Sequence, residues 1–94
     1  MRTISFTARF KKDFKRVQKG QPTDSLQTEL QPIIDMLVAD IALPPKNRDH
    51  ALRGEWNGFR DCHIRPDLVL IYRKFEPQML EFDRLGSHSE LFKK

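Results

Sequence analysis

One cysteine, Cys62, stands among 94 residues, which excludes an internal disulfide framework and a cysteine-built zinc site. No apolar run approaches the ~18–20 residues of a membrane-crossing helix, and Met1-Arg2-Thr3-Ile4 opens no secretory apolar stretch. The chain also lacks a Gly-rich phosphate loop, a G-x-S-x-G elbow, a C-x-x-C pair and any H-x-x-x-H or H-x-H spacing. Phosphate-loop, serine-hydrolase, dithiol and common zinc chemistries are disfavoured together. There is no repeat, low-complexity tract or linker, and a second core would need roughly 50 further residues. These absences predict one domain over residues 1–94, placed in a reducing cytoplasm.

Charged residues make up 32% of the chain and hydrophobic ones 38%, the balance of a soluble globular domain. The net charge of +4 is unevenly spread. Residues 1–20 hold seven bases and only Asp13 as acid, residues 21–45 hold four acids and no base, and residues 46–74 are again basic. The basic ground suits a polyanion or an acidic protein, and reads equally well as a solvated helix face.

The apolar pattern predicts a strand over residues 2–6 and a helix capped by Thr7 that carries Phe10, Phe14 and Val17 inward and stops at Gly20. Gln21-Pro22-Thr23 reads as a connector. Asp24 or Ser25 then caps a second helix whose stripe runs from Leu26 to Ile41, with Pro32 inside it as a kink or a break between collinear pieces. Beyond Leu43-Pro44-Pro45 the period changes to two, predicting strands over residues 52–55, 59–65, 68–75 and 79–85, and Ser87 caps a last turn through Phe92. Leu68 to Tyr72 is apolar throughout, as in a central strand covered on both faces. The fold class is α+β: two N-terminal helices on a four- to five-stranded, mainly antiparallel sheet, in the order β-αα-βββ(β).

All three histidines lie in the second half. Strand alternation places Phe59, Asp61, His63 and Arg65 on one face and Arg60, Cys62 and Ile64 on the other. His50 and His88 flank that strand from loops, and Asp67 sits within reach of His63 if Pro66-Asp67 closes a hairpin. A cluster of imidazoles, carboxylates and arginines suits metal-free cleavage of RNA. An imidazole takes the 2′-OH proton, another donor protonates the leaving 5′-oxygen, and an arginine holds the phosphorane oxygens. Spacing alone favours a surface or core role for any single histidine. Cys62 and Tyr72 read as core, and Trp56 and Phe59 as packing aromatics before base-stacking ones.

The run Arg48-Asp49-His50-Ala51-Leu52-Arg53-Gly54-Glu55-Trp56-Asn57-Gly58-Phe59-Arg60-Asp61-Cys62-His63-Ile64-Arg65-Pro66-Asp67, with Leu70-Ile71-Tyr72 and Arg84-Leu85-Gly86-Ser87-His88 after it, resembles the YafQ branch of the RelE-type toxins of bacterial type II toxin–antitoxin modules. The resemblance spans nearly the whole chain, the N-terminal half in pattern only. It implies an endoribonuclease that cuts mRNA in the ribosomal A site by 2′-OH attack, leaving a 2′,3′-cyclic phosphate and a 5′-OH, with no cofactor or metal and no membrane. The family's catalytic positions fall on His50, His63, Asp67 and His88. Arg84 would steady the phosphate, Phe92 would lie near it, and Asp61 matches the motif in a less defined role.

Asp67 or His63 would serve the base side, His88 the leaving group, and His50 would orient. Lys11, Lys12, Lys15 and Arg16 gain ribosomal RNA or an acidic antitoxin as targets, and operator DNA would be met only through the cognate antitoxin. Leu68 departs from the family's tryptophan after Pro-Asp, and Asp83 and Leu85 also differ. The rival readings are a non-cutting module that binds antitoxin or nucleic acid, and a zinc-dependent hydrolase.

Overall fold

A computed structural model describes residues 1–20 and 25–92. Strand β1 (Thr3–Phe6) leads into α1 (Ala8–Lys19), where Thr7 Oγ1 accepts the Phe10 amide at 3.0 Å, the expected N-cap. The connector at residues 21–23 and the cap at Asp24 lie outside the described residues. Helix α2 (Ser25–Val38) buries Leu26, Leu30, Ile33 and Leu37, a four-, three-, four-residue stripe along one face. It is a single helix through Pro32, which sits on the exposed side, where water can satisfy the carbonyl that the proline leaves unpaired.

The stripe does not continue to Ile41 as predicted. Asp40 turns left-handed (φ 57°), the Asp40 amide donates to Leu37 O and the Ile41 amide to Met36 O. That 6→1 and 5→2 pair is a Schellman stop, with aspartate in the place usually given to glycine.

The sheet order is β1-β5-β4-β3-β2, with β2 (His50–Ala51), β3 (Arg60–Arg65), β4 (Leu68–Phe75) and β5 (Met79–Gly86) antiparallel and β1 parallel to β5. The α+β class and the mainly antiparallel sheet are as expected. Residues 52–55 are not a strand. The two-residue β2 precedes them, and Gly54, at φ +66°, starts a 3₁₀ turn over Gly54–Trp56. A strand cannot pass through that left-handed residue.

Central β4 is buried on both faces. Leu68, Leu70 and Tyr72 join Phe10, the α2 stripe, Cys62, Leu80, Phe82 and Leu85 under the helices. Val69 and Ile71 pack on the opposite face with Leu91 of α3 (His88–Leu91), flanked by Leu52, Trp56, Phe59 and Phe92. Trp56 and Phe59 meet edge to face at 5.3 Å, so they do pack against each other. A bulge between His63 and Arg65 breaks the expected alternation. Asp61 and His63 keep the open face, but Arg65 crosses to the helix side and pairs with Glu29 of α2. Among the described residues no helix is long and apolar enough to cross a membrane.

Candidate active site

The open face of β3 carries the site. His50 of β2 is paired directly with Asp61, and His63 stands two residues further along the same strand. His88, the first residue of α3, reaches the cluster from beyond β5. Its ring centroid is 5.1 Å from that of His63 and 5.6 Å from that of Phe92. All three histidines therefore converge, with Phe92 beside them.

Each imidazole is set by local structure. His50 Nδ1 lies 2.8 Å from Arg48 O, and His63 Nδ1 lies 3.3 Å from Pro66 O. A carbonyl can only accept, so both contacts fix the proton on Nδ1 and leave Nε2 of the neutral ring as a proton acceptor. The loop before His50 is tied to the sheet through Asp49, which accepts from Tyr72 Oη at 2.6 Å and from the Arg60 guanidinium at 3.3 and 3.4 Å. Burial and this bond push the Tyr72 phenol up in pKa. His88 is held by a capping box: Ser87 Oγ accepts the Glu90 amide, and Glu90 Oε1 accepts the Ser87 amide. At Gly86 a Cβ would lie 2.9 Å from Arg16 Nη2 and from Glu90 Oε1, so a side chain there would displace the ends of both residues and disturb the cap.

The carboxylate among the imidazoles is Asp61, only 1% exposed. His50 Nδ1 is 3.1 Å from its Oδ1, yet the ring proton is directed to Arg48 O, so among the described residues Oδ1 has no hydrogen-bond donor. Burial raises the Asp61 pKa above its ordinary value, against the attraction of His50, His63 and His88 and with a smaller push from Asp49. Asp67 is placed differently. It is exposed at the β3–β4 turn, and among the described residues it makes no hydrogen bond or ion pair with a histidine, lying instead beside a second groove near Arg16, Ser87 and Glu90.

Arg84 is already engaged: its Nε and Nη2 donate to the two oxygens of Asp13 at 2.7 and 3.3 Å. Asp13 also accepts from Arg16 Nη1 at 2.7 Å and from the Leu85 amide at 3.0 Å. Of the four basic α1 residues singled out, Lys11, Lys12 and Lys15 are solvent-facing, whereas Arg16 joins α1 to Leu85 O and to Glu90 of α3. Asp13 was missed in the sequence. The signal was there: it is the only acid in residues 1–20 and falls three residues after Phe10, on the buried stripe. Leu68 lies in the helix-side core, and Cys62 is buried there too, its thiol pushed up in pKa by burial, which separates it from the histidines.

The sequence model for the bacterial toxin of type II toxin–antitoxin system, YafQ, matches residues 2–93. The mRNA interferase toxin YafQ of Escherichia coli K12 is 36% identical over 92 residues, 97% of this chain and 96% of that protein. The putative toxin YafQ of Haemophilus influenzae is 39% identical over 90 residues, 93% and 88% of the two chains. Among solved structures, a copper-bound mutant toxin from Helicobacter pylori superposes with a TM-score of 0.87 at 40% identity, covering 98% of this chain and all of that one. The E. coli DinJ–YafQ complex gives 0.83 at 34% identity, covering 98% and 99%. Among the described residues of this chain, no three His, Cys, Asp or Glu side chains converge closely enough to hold an ion.

Proposed function

The chain belongs to the YafQ family of bacterial toxins of type II toxin–antitoxin systems, and on that footing we propose that it is an endoribonuclease that cuts messenger RNA at the histidine cluster. A cognate antitoxin is its partner, as in the DinJ–YafQ complex. The observation that carries the catalytic reading is the convergence of His50, His63 and His88 over the buried Asp61.

The geometry supports a division of labour. An Nε2 whose ring is held by a carbonyl at Nδ1, on His50 or His63, takes the proton from the ribose 2′-OH. The freed 2′-oxygen attacks phosphorus, the P–O5′ bond breaks, and the leaving 5′-oxygen takes a proton from His88, whose ring makes no hydrogen bond among the described residues. The products are a 2′,3′-cyclic phosphate and a 5′-OH. Beneath them, Asp61, itself buried, stabilises whichever imidazolium forms through its negative charge. Asp67 stands at the turn that holds His63 and can bear on it only through that turn or by moving inward.

Arg84, bound to Asp13, would steady the phosphate only on leaving that carboxylate. The exposed lysines of α1 lie on the helix side of the sheet, where they suit ribosomal RNA phosphates or an acidic antitoxin segment. The message would be presented in the ribosomal A site. Controlled expression of wild type beside His88→Ala, scoring growth, mRNA integrity and the chemistry of the new ends, tests the reading. Growth arrest with cyclic-phosphate ends in wild type alone supports it, and intact message in both leaves the non-cutting binding module.

A further inference from the structure

A groove of about 640 Å³ opens at the free edge of β3, between α2 and the 3₁₀ turn Pro45–Asn47. It lies within the ~300–1,000 Å³ of ligand sites. Its shelf is apolar, formed by Ile33 and Met36 of α2 with Pro44 and Ile64, and His63 of the histidine cluster also lines it. Lys46 and Arg48, both exposed, line it as well. Among the described residues neither pairs with a carboxylate, while the one acid in the groove, Glu29, is neutralised by Arg65.

Arg48 sits in the left-handed region (φ 47°), an uncommon state for a residue with a Cβ. That conformation turns its carbonyl to His50 Nδ1, and Arg48 also lines the groove. One residue thus links a ring of the histidine cluster to an unpaired cation, and His63 belongs both to that cluster and to the groove's lining.

We propose that this groove is a nucleotide subsite: it seats the RNA residue flanking the cleaved bond, with Lys46 and Arg48 on its phosphate and the base on the Pro44–Met36 shelf. The proposal rests on the endonuclease reading. The Asn47 side-chain amide is turned inward to His63 O at 2.7 Å and is buried, so no polar group of that turn's last residue is offered to a base edge. The subsite accordingly holds the strand in line with the imidazoles and contributes little choice of base.

The test uses toxin freed of antitoxin, ribosomes programmed with a defined message, and cleavage efficiency measured against salt. Lys46→Ala with Arg48→Asn removes both charges, and asparagine tolerates the left-handed backbone. Losing both cations that hold that single-strand phosphate should lower cleavage efficiency by about tenfold or more and make the log–log salt slope shallower by about 0.7. Met36→Glu should weaken cleavage and Met36→Lys should strengthen it, opposite shifts at one site that loss of folding cannot produce. A double variant with wild-type efficiency and slope overturns the subsite. So does a pair of Met36 variants that alter antitoxin affinity and leave cleavage alone, since the groove would then seat a protein segment. Should wild type itself leave the message intact, the endonuclease reading fails and takes the subsite with it.

Discussion

Replacing Asp13 by alanine perturbs stability through one carboxylate. Asp13 is 3% exposed and accepts four hydrogen bonds, two from Arg84, one from Arg16 and one from the Leu85 amide. The Leu85 amide is buried, and leaving it without an acceptor costs about 1–3 kcal/mol. The arginine side chains are 21% and 44% exposed, so water compensates for much of their loss, and each pair adds only about 0.5 kcal/mol. A total of about 2–4 kcal/mol corresponds to a fall in Tm of roughly 10–30 °C for a domain of this size.

Asp13→Asn keeps an acceptor for the amide and should recover about half of that. Burial pushes the Asp13 pKa up, but hydrogen bonds from Arg84, Leu85 and Arg16 outweigh it and hold the pKa below the ordinary 3.8. Its stabilisation is therefore complete above pH ~4 and lost as pH falls through the lowered value, so the wild-type advantage over Asp13→Ala should shrink only in strong acid. Thermal unfolding followed by circular dichroism across pH measures this. An alanine variant within about 0.5 kcal/mol of wild type, or an asparagine variant no better than alanine, would refute the assignment of the amide as the main debtor.

Asp61→Asn should act in the opposite sense on stability. Burial holds the Asp61 pKa up, so the wild type loses stability as pH rises from the ordinary 3.8 through the raised folded value. The asparagine variant should melt about 4–8 °C higher at pH 7, equivalent to ~1 kcal/mol, with the gap closing in acid, yet cleave at least about tenfold more slowly; equal activity would remove Asp61 from the site. Reversing Lys11, Lys12 and Lys15 to glutamate should weaken ribosome association and flatten its salt dependence while leaving Tm within about 0.5 kcal/mol of wild type. Arg16→Glu, by contrast, should lower Tm, because Arg16 is bound to Asp13 and Glu90. EDTA should leave cleavage unchanged with ribosomes kept intact in magnesium; loss of cleavage restored by zinc would refute the acid–base scheme.

Where one element's own residues determine it, the sequence was readable. The α2 stripe, the double burial of Leu68–Tyr72 and the Ser87 cap need only spacing and side-chain chemistry. Three features required the assembled sheet. The bulge beside Ile64 has no turn residue to announce it, and it moves Arg65 from the histidine face to Glu29. Gly54 looked compatible with a strand until its positive φ stopped one. The partner of Arg84, Asp13, lies 71 residues away, so an arginine that reads as a free phosphate clamp is already bound to a carboxylate. Histidine spacing suggested a cluster, but which carboxylate lies beneath it depended on strand register: Asp61 is paired with His50, and Asp67 is out on the turn.

The parallel pairing of β1 with β5 sets a clock on the appearance of activity. Thr3 faces Met79 in that ladder, and Thr7 Oγ1 donates to Asp83 O across 76 positions of sequence. At about 5–20 residues per second of synthesis, the N-terminal strand waits roughly 4–15 s for its neighbour. His88 follows β5 and is held by a cap that itself leans on Arg16 of α1. A nascent chain therefore carries His50 and His63 without their third imidazole until this closure is made. Throughout that interval β1 and the apolar side of α1 have no sheet to cover them. A partner that captures the chain then would meet it before it can cut, and order of synthesis becomes a safeguard that no surface contact of the finished fold reveals.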